Sequence, residues 1–373
     1  MRVLMTGGGT GGHVYPALAI AEIIKMNDPT AEIAFVGTKK GIENRLVPKE
    51  GYKLYHVEIQ GISRSLSPKN LKTAYLIMVS PKKAKKIIEE FKPDIVIGTG
   101  GYVSWPLLKA AASMGIPSMV HESNAFPGLA VRQVQKKVDA ILTSFEETEK
   151  NIKCKEKIIN VGNPLRVKYG TVSKEEARRK LGIPENTKLC LLSFGGSLGA
   201  AAINECALGL MKNVALKQED VYLIHASGVR YHEEFSSKLK EIGADDKENI
   251  RVFDYLYDMP LYMSAADAVI CRAGAMTLAE LAMIGKPAIL IPSPNVTDNH
   301  QYKNAKVVAN NGGAYLIEEG ENAESEILKA VEELYSDRES CERMSEAMRS
   351  FARPDAGKCI YREITKLISD KTK

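Results

Sequence analysis

Tryptophan occurs once in 373 residues, cysteine six times without a CxxC pair, and the acidic pattern DxD not at all. Long apolar runs are missing too: the longest are broken by Gly, Pro or Lys, and none approaches the ~18 residues of a membrane-spanning helix. The opening MRVLMTGGGTGGH is too short in apolar residues for a signal-peptide core, so the chain is expected to stay in the cytoplasm. Cys154, Cys190, Cys206, Cys271, Cys341 and Cys359 are scattered. That pattern disfavours a disulfide framework or a zinc site and leaves buried thiols. Without DxD there is no carboxylate pair to hold a nucleotide diphosphate through a divalent ion, so neither metal nor cofactor is expected.

What is present is ordinary for a globular protein: 45% hydrophobic and 26% charged residues. At ~100–200 residues per domain, the length predicts two domains. The net charge of +5 is modest, yet Arg64 to Lys92 holds eight Lys/Arg against two Glu. Such a segment seeks an acidic partner.

Short β-branched runs alternate with longer helical patterns. Val3–Met5, Ile33–Val36, Lys53–Val57, Ile95–Ile97, Pro117–Val120, Ala140–Leu142 and Ile158–Val161 read as strands, with Tyr15–Met26, Leu71–Phe91 and Pro106–Met114 among the helices. Strands spaced by helices imply parallel sheets in a doubly wound α/β architecture. The series restarts at Lys188–Ser193, then Val221–His225, Ile250–Val252, Ala268–Ile270, Ala288–Ile291 and Ala314–Leu316. Both series open with a strand, a glycine-rich turn and a helix. The expectation is two similar domains, 1–162 and 163–350, joined near 162–175, with a final helix at about 355–373 crossing back onto the first.

Gly7-Gly8-Gly9-Thr10-Gly11-Gly12 contains GxGxxG after a strand and before a helix. Helix N-termini suit anions, and glycine lets the backbone approach them. A dinucleotide site also needs an acid at the end of the second strand, where this chain reads Val36-Gly37-Thr38-Lys39, so NAD is disfavoured. One such turn is also a common connection with no ligand. Three more follow at strand ends, Gly98–Gly101, Gly195–Gly199 and Arg272–Ala275, where open α/β sheets bind ligands. Together they point to phosphate or pyrophosphate, lining one cleft if the two domains face each other. Backbone N–H groups, Ser197, Arg166 and Arg272 are the candidates to stabilise a leaving pyrophosphate.

His13 follows the first loop in a position that favours the neutral ring of a general base, or else caps the helix. His121-Glu122-Ser123-Asn124 follows a strand end, where polar side chains meet a ligand or one another. Glu280, six residues after Gly274, suits a ribose diol, though taken alone it reads as an ordinary exposed Glu. Gln301 and Asn304, after Asp298-Asn299-His300, suit sugar hydroxyls. His56, His225 and His232 have no such context. In the segment Leu71–Lys86, an apolar cluster adjoins Lys82, Lys83, Lys85 and Lys86. It reads as a core helix with a solvated end or as a patch for anionic lipid, with Trp105 a possible companion. No nucleic-acid motif accompanies the charge.

TGGGTGGHVYPALAIAE, GTGGYVSWP, HESNAFPGLA, GNPLR, FGGSLGA, CRAGAMTLAEL and DNHQYKNA stand in this order across residues 6 to 306. The chain thereby resembles the MurG-type undecaprenyldiphospho-muramoylpentapeptide β-N-acetylglucosaminyltransferases. The resemblance implies the GT-B fold, UDP-GlcNAc as donor and the lipid I muramoyl 4-hydroxyl as acceptor, with inversion to lipid II at the cytoplasmic face of the cell membrane. It implies that Thr10, Gly11, Gly12 and Asn124 reach the donor sugar and that Arg166 and Ser197 contact the diphosphate. Leu256 would hold uracil through its backbone. Ala275, Met276, Thr277, Leu278, Ala279 and Glu280 would form the ribose and phosphate turn, and Gln301 would read GlcNAc. His13 is the first choice of base and Glu122 the second. A bilayer-anchored acceptor makes Leu71, Tyr75, Leu76, Met78 and the four lysines the expected membrane face. Leu198, Ser123 and Val131 depart from the family's usual Gln or Arg, Gln, and Asn. A glycolipid glycosyltransferase, a UDP-GlcNAc 2-epimerase and a non-catalytic UDP-sugar sensor are the alternatives on such a donor site.

Overall fold

The computed structural model describes residues 1–61, 69–166, 169–196 and 198–372, with backbone alone at 69–72 and 372. The chain folds as two compact units, Met1–Arg166 with Arg353–Lys373, and Val167–Ala352.

The first unit runs β1 (Arg2–Thr6), α1 (Gly11–Asn27), β2 (Glu32–Gly37), α2 (Glu43–Lys49), β3 (Lys53–His56), α3 (Lys69–Phe91), β4 (Ile95–Gly98), α4 (Ser104–Ser113), β5 (Ser118–Glu122), α5 (Leu129–Val134), β6 (Ala140–Thr143), α6 (Glu146–Lys150) and β7 (Ile158–Asn160). Its strands lie in the order β3-β2-β1-β4-β5-β6-β7, and every pairing is parallel. Successive strand residues point to opposite faces, so an apolar run feeds two cores at once. Val3, Met5, Phe35, Ile95 and Ile97 enter one core with Leu18 and Ile24 of α1. Leu4, Ala34, Val36 and Val96 enter the other with Ile88 of α3 and Leu107 and Leu108 of α4.

The second unit continues with α7 (Lys174–Leu181), β8 (Leu189–Phe194), α8 (Ala201–Leu210), β9 (Val221–Ala226), α9 (His232–Glu241), β10 (Ile250–Phe253), α10 (Met259–Ala265), β11 (Ala268–Cys271), α11 (Ala275–Ile284), β12 (Ala288–Leu290), α12 (His300–Asn310), β13 (Ala314–Leu316), α13 (Ala323–Ser336) and α14 (Arg338–Arg349). The order is β10-β9-β8-β11-β12-β13, again wholly parallel. The charged stretch before β8 becomes α7, because Ser173 accepts a hydrogen bond from the Glu176 N–H and Gly182 ends the helix with φ 64°.

After the Arg353–Pro354 break, α15 (Ala356–Thr372) rejoins the first unit, burying Ile360 and Ile364 in the core of α1. In both sheets the strand order reverses once, between β1 and β4 and between β8 and β11. Open α/β sheets bind ligands outside the carboxyl ends of the strands at such a point. All four glycine turns lie there.

Candidate active site

In the first unit the chain leaves β1 at Thr6 and β4 at Gly98, and the two turns interlock. The Thr99 N–H donates to the Thr6 carbonyl at 2.8 Å, and its hydroxyl donates to the His13 carbonyl at 2.6 Å. At Gly100, φ is +99° and a Cβ would lie 2.7 Å from the His13 ring, so only glycine lets the imidazole lie against this turn. Helix α1 begins four residues earlier than its apolar pattern suggests, which makes His13 its third residue. The ring Nδ1 lies 3.1 Å from the hydroxyl of Thr10, the extended residue that precedes the helix. Gly11 and Gly12 carry first-turn amides, which an α-helix leaves unpaired and which favour an anion.

Strand β5 extends two residues beyond expectation, since His121 and Glu122 pair in register with Leu142 and Thr143. They therefore face opposite sides of the sheet. His121 is buried with Nε2 2.9 Å from the Gly162 carbonyl, and burial lowers its pKa to about 4. The residue is neutral, and it pins the Gly162–Asn163 segment rather than a ligand. Asn163 completes this network by donating to the Ser123 carbonyl at 3.1 Å. Glu122 is buried as well. It accepts from the Asn124 N–H and amide side chain, both at 3.0 Å, and from the Gly128 N–H at 2.8 Å. Burial pushes its carboxyl up, while these bonds oppose the shift. Its oxygens are occupied in shaping the 123–128 loop, and Asn124 is oriented by them.

Arg166 is paired within the first unit. Its guanidinium holds Glu50 with two bonds of 3.1 and 2.8 Å and Glu22 with one of 2.7 Å. Glu22 is eleven residues into α1, about 16 Å along the axis from the glycine turn. Glu50 directly follows α2, in the short turn that leads to the amino end of β3. The arginine is thus anchored toward the opposite edge of the sheet from the glycine turns.

In the second unit, the turn after β8 leads into α8; Ser197 lies outside the described residues, and Leu198 is exposed. After β11, Arg272 is committed to Glu319 and to the Ile291 carbonyl, so this arginine holds the fold rather than a pyrophosphate. Gly274 is extended and α11 starts at Ala275, with no acid in its first turn. The early amides of Ala275, Met276 and Thr277 and the electropositive helix end therefore face the β11 turn. Ala275 and Leu278 are buried, whereas Met276, Thr277, Ala279 and Glu280 are half-buried. Burial pushes the Glu280 carboxyl up to about 7, with the Tyr169 hydroxyl acting in the opposite direction.

Asn304, fully buried, donates to the Ala273 carbonyl at 3.2 Å, and Gln301 Oε1 accepts from the Ser293 N–H at 2.9 Å. The two amides tie α12 to the β11 and β12 turns. Asp298 and Asn299 just before it have φ of 54° and 51°, consecutive left-handed residues of the kind that cluster at ligand sites. Leu256 is 4% exposed between the exposed Tyr255 and Tyr257, so its side chain anchors the loop that carries them.

Several contributors carried no local signal in the sequence. Glu43 and Thr99 support the first glycine loop from elements distant in the chain. His225 is buried on Phe235, bonds Ser193 and Asn204, and has its pKa lowered by burial to about 3. Asn204 in turn donates to the Ser227 carbonyl at 3.0 Å, and Ser227 bonds His232.

On α3, Tyr75 is 60% and Met78 72% exposed, with Lys82, Lys83 and Lys86 exposed and Lys85 half-buried. Leu76 is a correction to the expected membrane face. It is 8% exposed, on the inward stripe of Thr73, Ser80, Ala84, Ile87 and Ile88 that helical periodicity dictates. The side chain of Leu71 lies outside the described residues. Trp105 is half-buried under the Lys109 ammonium, 4.7 Å from its ring. Among the described residues, no helix is long and apolar enough to cross a membrane, and no His/Cys/Asp/Glu cluster could hold a metal ion.

Family models match both units: the glycosyltransferase family 28 N-terminal domain over residues 3–143 and its C-terminal domain over 190–359. A UDP-N-acetylglucosamine–N-acetylmuramyl-(pentapeptide) pyrophosphoryl-undecaprenol N-acetylglucosamine transferase of Thermoanaerobacter sp. (strain X514) is 42% identical, covering 98% of this chain and 99% of the relative. The transferase of the same name from Clostridioides difficile (strain 630) is 40% identical over 100% of this chain and 90% of its own. Among solved structures, Acinetobacter baumannii MurG superposes with a TM-score of 0.76 at 29% identity, over 98% of this chain and 99% of that one. A UDP-GlcNAc 2-epimerase from Neisseria meningitidis reaches 0.64 at 15% identity, over 98% and 100%, a likeness of fold alone. The two parallel-sheet units and the MurG likeness place the fold in the GT-B class. On both domain models and the full-length relatives, the chain belongs to glycosyltransferase family 28, among its MurG-type N-acetylglucosamine transferases.

Proposed function

We propose that this protein transfers N-acetylglucosamine from UDP-GlcNAc to the C4 hydroxyl of the muramoyl sugar of lipid I, giving lipid II for peptidoglycan synthesis. The observation that carries the reading is full-length kinship with transferases of that name. A pair of glycine turns at the strand-order reversal of each sheet supports it.

The second unit takes the donor. Glu280 accepts from the ribose hydroxyls, the Leu256 backbone reads uracil, and Gln301 reads GlcNAc. Amides of the β8 turn with Ser197, and of Ala275 to Thr277, offset the diphosphate charge. The first unit takes the acceptor, and its Thr10, Gly11, Gly12 and Asn124 reach the donor sugar. Arg166 takes part only if it leaves Glu22 and Glu50.

The chemistry is a single displacement. His13 removes the proton of the acceptor hydroxyl as its oxygen bonds to the anomeric carbon. The bond from that carbon to the phosphate oxygen breaks on the opposite face, and UDP departs with the electron pair, so the configuration inverts. Glu122 is the weaker candidate for base because its oxygens already accept from its own loop. The acceptor's lipid requires a membrane surface, and α3 offers Tyr75 and Met78 beside exposed lysines for an anionic one. The enzyme then works as a peripheral protein at the cytoplasmic face.

The test is transfer of labelled GlcNAc from UDP-GlcNAc to a short-chain lipid I analogue, with EDTA in half the samples. A β1,4-linked product in both halves supports the reading, including phosphate stabilisation by the protein's own amides. Turnover of UDP-GlcNAc without acceptor would instead mark an epimerase, and transfer to diacylglycerol a glycolipid enzyme.

A further inference from the structure

Glu43 opens α2 and is 1% exposed, and among the described residues no cation pairs with it. A carboxylate in such a place is costly unless hydrogen bonds to the charged form replace water. Three do. Oε1 accepts from the Thr38 N–H at 2.8 Å and the Thr38 hydroxyl at 2.9 Å, and Oε2 accepts from the Gly9 N–H at 3.0 Å. The space it fills is made by glycine from three parts of the chain. A Cβ on Gly8 would lie 2.8 Å from Oε1, one on Gly37 would lie 2.5 Å from Cγ, and one on Gly41 would overlap the carboxylate.

Strand β2 ends without the acid that a dinucleotide fold uses for ribose. Here a carboxylate arrives from the next helix and turns back onto the glycine loop itself. It holds the amide of Gly9, whose φ of +88° turns the chain toward Thr10, and the Thr10 hydroxyl meets the His13 ring.

We propose that Glu43 is a positioning residue for the transfer: its carboxylate fixes the Gly9 amide and thereby the Thr10–His13 face presented to the acceptor. This rests on the reading that the Gly7–His13 loop serves the acceptor. The donor's nucleotide belongs to the other unit, so the effect is expected on transfer and not on UDP binding.

The test compares Glu43→Gln with Ile364→Ala, which loosens the first unit from α15, remote from the loop, and with His13→Asn. Glutamine preserves size but sets an NH2 against one of the backbone N–H donors. Misplaced groups of this kind cost about ten- to a hundredfold in turnover. The expected result is a loss of that size in kcat for Glu43→Gln, with the dissociation constant for UDP unchanged and the His13 ring resonances shifted. Ile364→Ala should move neither at a matched fall in Tm. Thr38→Val, which removes one of the three bonds, should show a smaller loss of the same kind, and it decides the matter should Glu43→Gln not fold. The proposal is overturned if Glu43→Gln, or failing that Thr38→Val, loses no more turnover than Ile364→Ala or leaves His13 unmoved. Full turnover in His13→Asn would remove the loop reading and Glu43's part with it. Loss in His13→Asn with retention in Glu43→Gln would remove the Glu43 proposal alone.

Discussion

At Glu280, burial and function pull in opposite directions. Burial holds its carboxyl at about 7, so between the ordinary carboxylate range and that value the folded protein keeps a proton the unfolded chain has released. Stability should therefore decline as pH rises through this window, and Glu280→Gln should flatten the slope in urea unfolding. Binding should show the reverse sign, because the ionised carboxylate is the better acceptor for a ribose diol. UDP affinity measured by calorimetry is expected to tighten as pH passes about 7 in the wild type, and not in Glu280→Gln. His13→Asn is expected to lower kcat by about a hundred- to ten-thousandfold, the usual worth of a general base, and to leave the UDP dissociation constant unchanged. The places of His13 and Glu280, each on a helix that follows a glycine turn at a strand end, were legible because strand, glycines and helix stand in sequence. Arg166 was not: its partners lie 144 and 116 positions away, and no local pattern announces them. His121 stands in the same polar motif as Asn124, yet its partner is the Gly162 carbonyl, 41 positions on. A motif shows which residues are polar, while only the fold shows whom they satisfy.

Elements were more legible than their ends. Each expected strand is found because β-branched runs in a parallel sheet are buried on both faces and stand out from the helices between them. The start of α1 was misread since glycines carry no apolar pattern, and β5 ran long because sheet register, not composition, decides where it stops. Helix α3 shows the same gap between composition and geometry. Its run Ala74 to Val79 is apolar throughout, so the sequence alone does not separate the inward Leu76 from the outward Tyr75 and Met78. Substitution should. Tyr75→Ser with Met78→Ser is expected to weaken co-sedimentation with anionic vesicles at low salt without shifting Tm. Leu76→Ala should cost about 2–5 kcal/mol of stability.

For the whole molecule, the division into two units predicts two separable thermal transitions. UDP at a hundredfold above its dissociation constant should stabilise the second unit by about 2.7 kcal/mol and leave the first unmoved. Ile364→Ala should lower only the first, by about 2–5 kcal/mol, since Ile364 is wholly buried against the core of α1. Differential scanning calorimetry of the two cases reads both shifts. The return of the chain from the second unit to the first also bears on how the protein is made. The unit begun first needs residues synthesised after the whole of the other unit, because α15 covers α1 and follows that unit in the chain. At about 5–20 residues per second, a nascent chain waits roughly 10–40 s between finishing Arg166 and finishing Thr372. Throughout that interval the apolar flank of α1 has no cover, so the second unit can complete its fold on the ribosome while the first remains a client for chaperones.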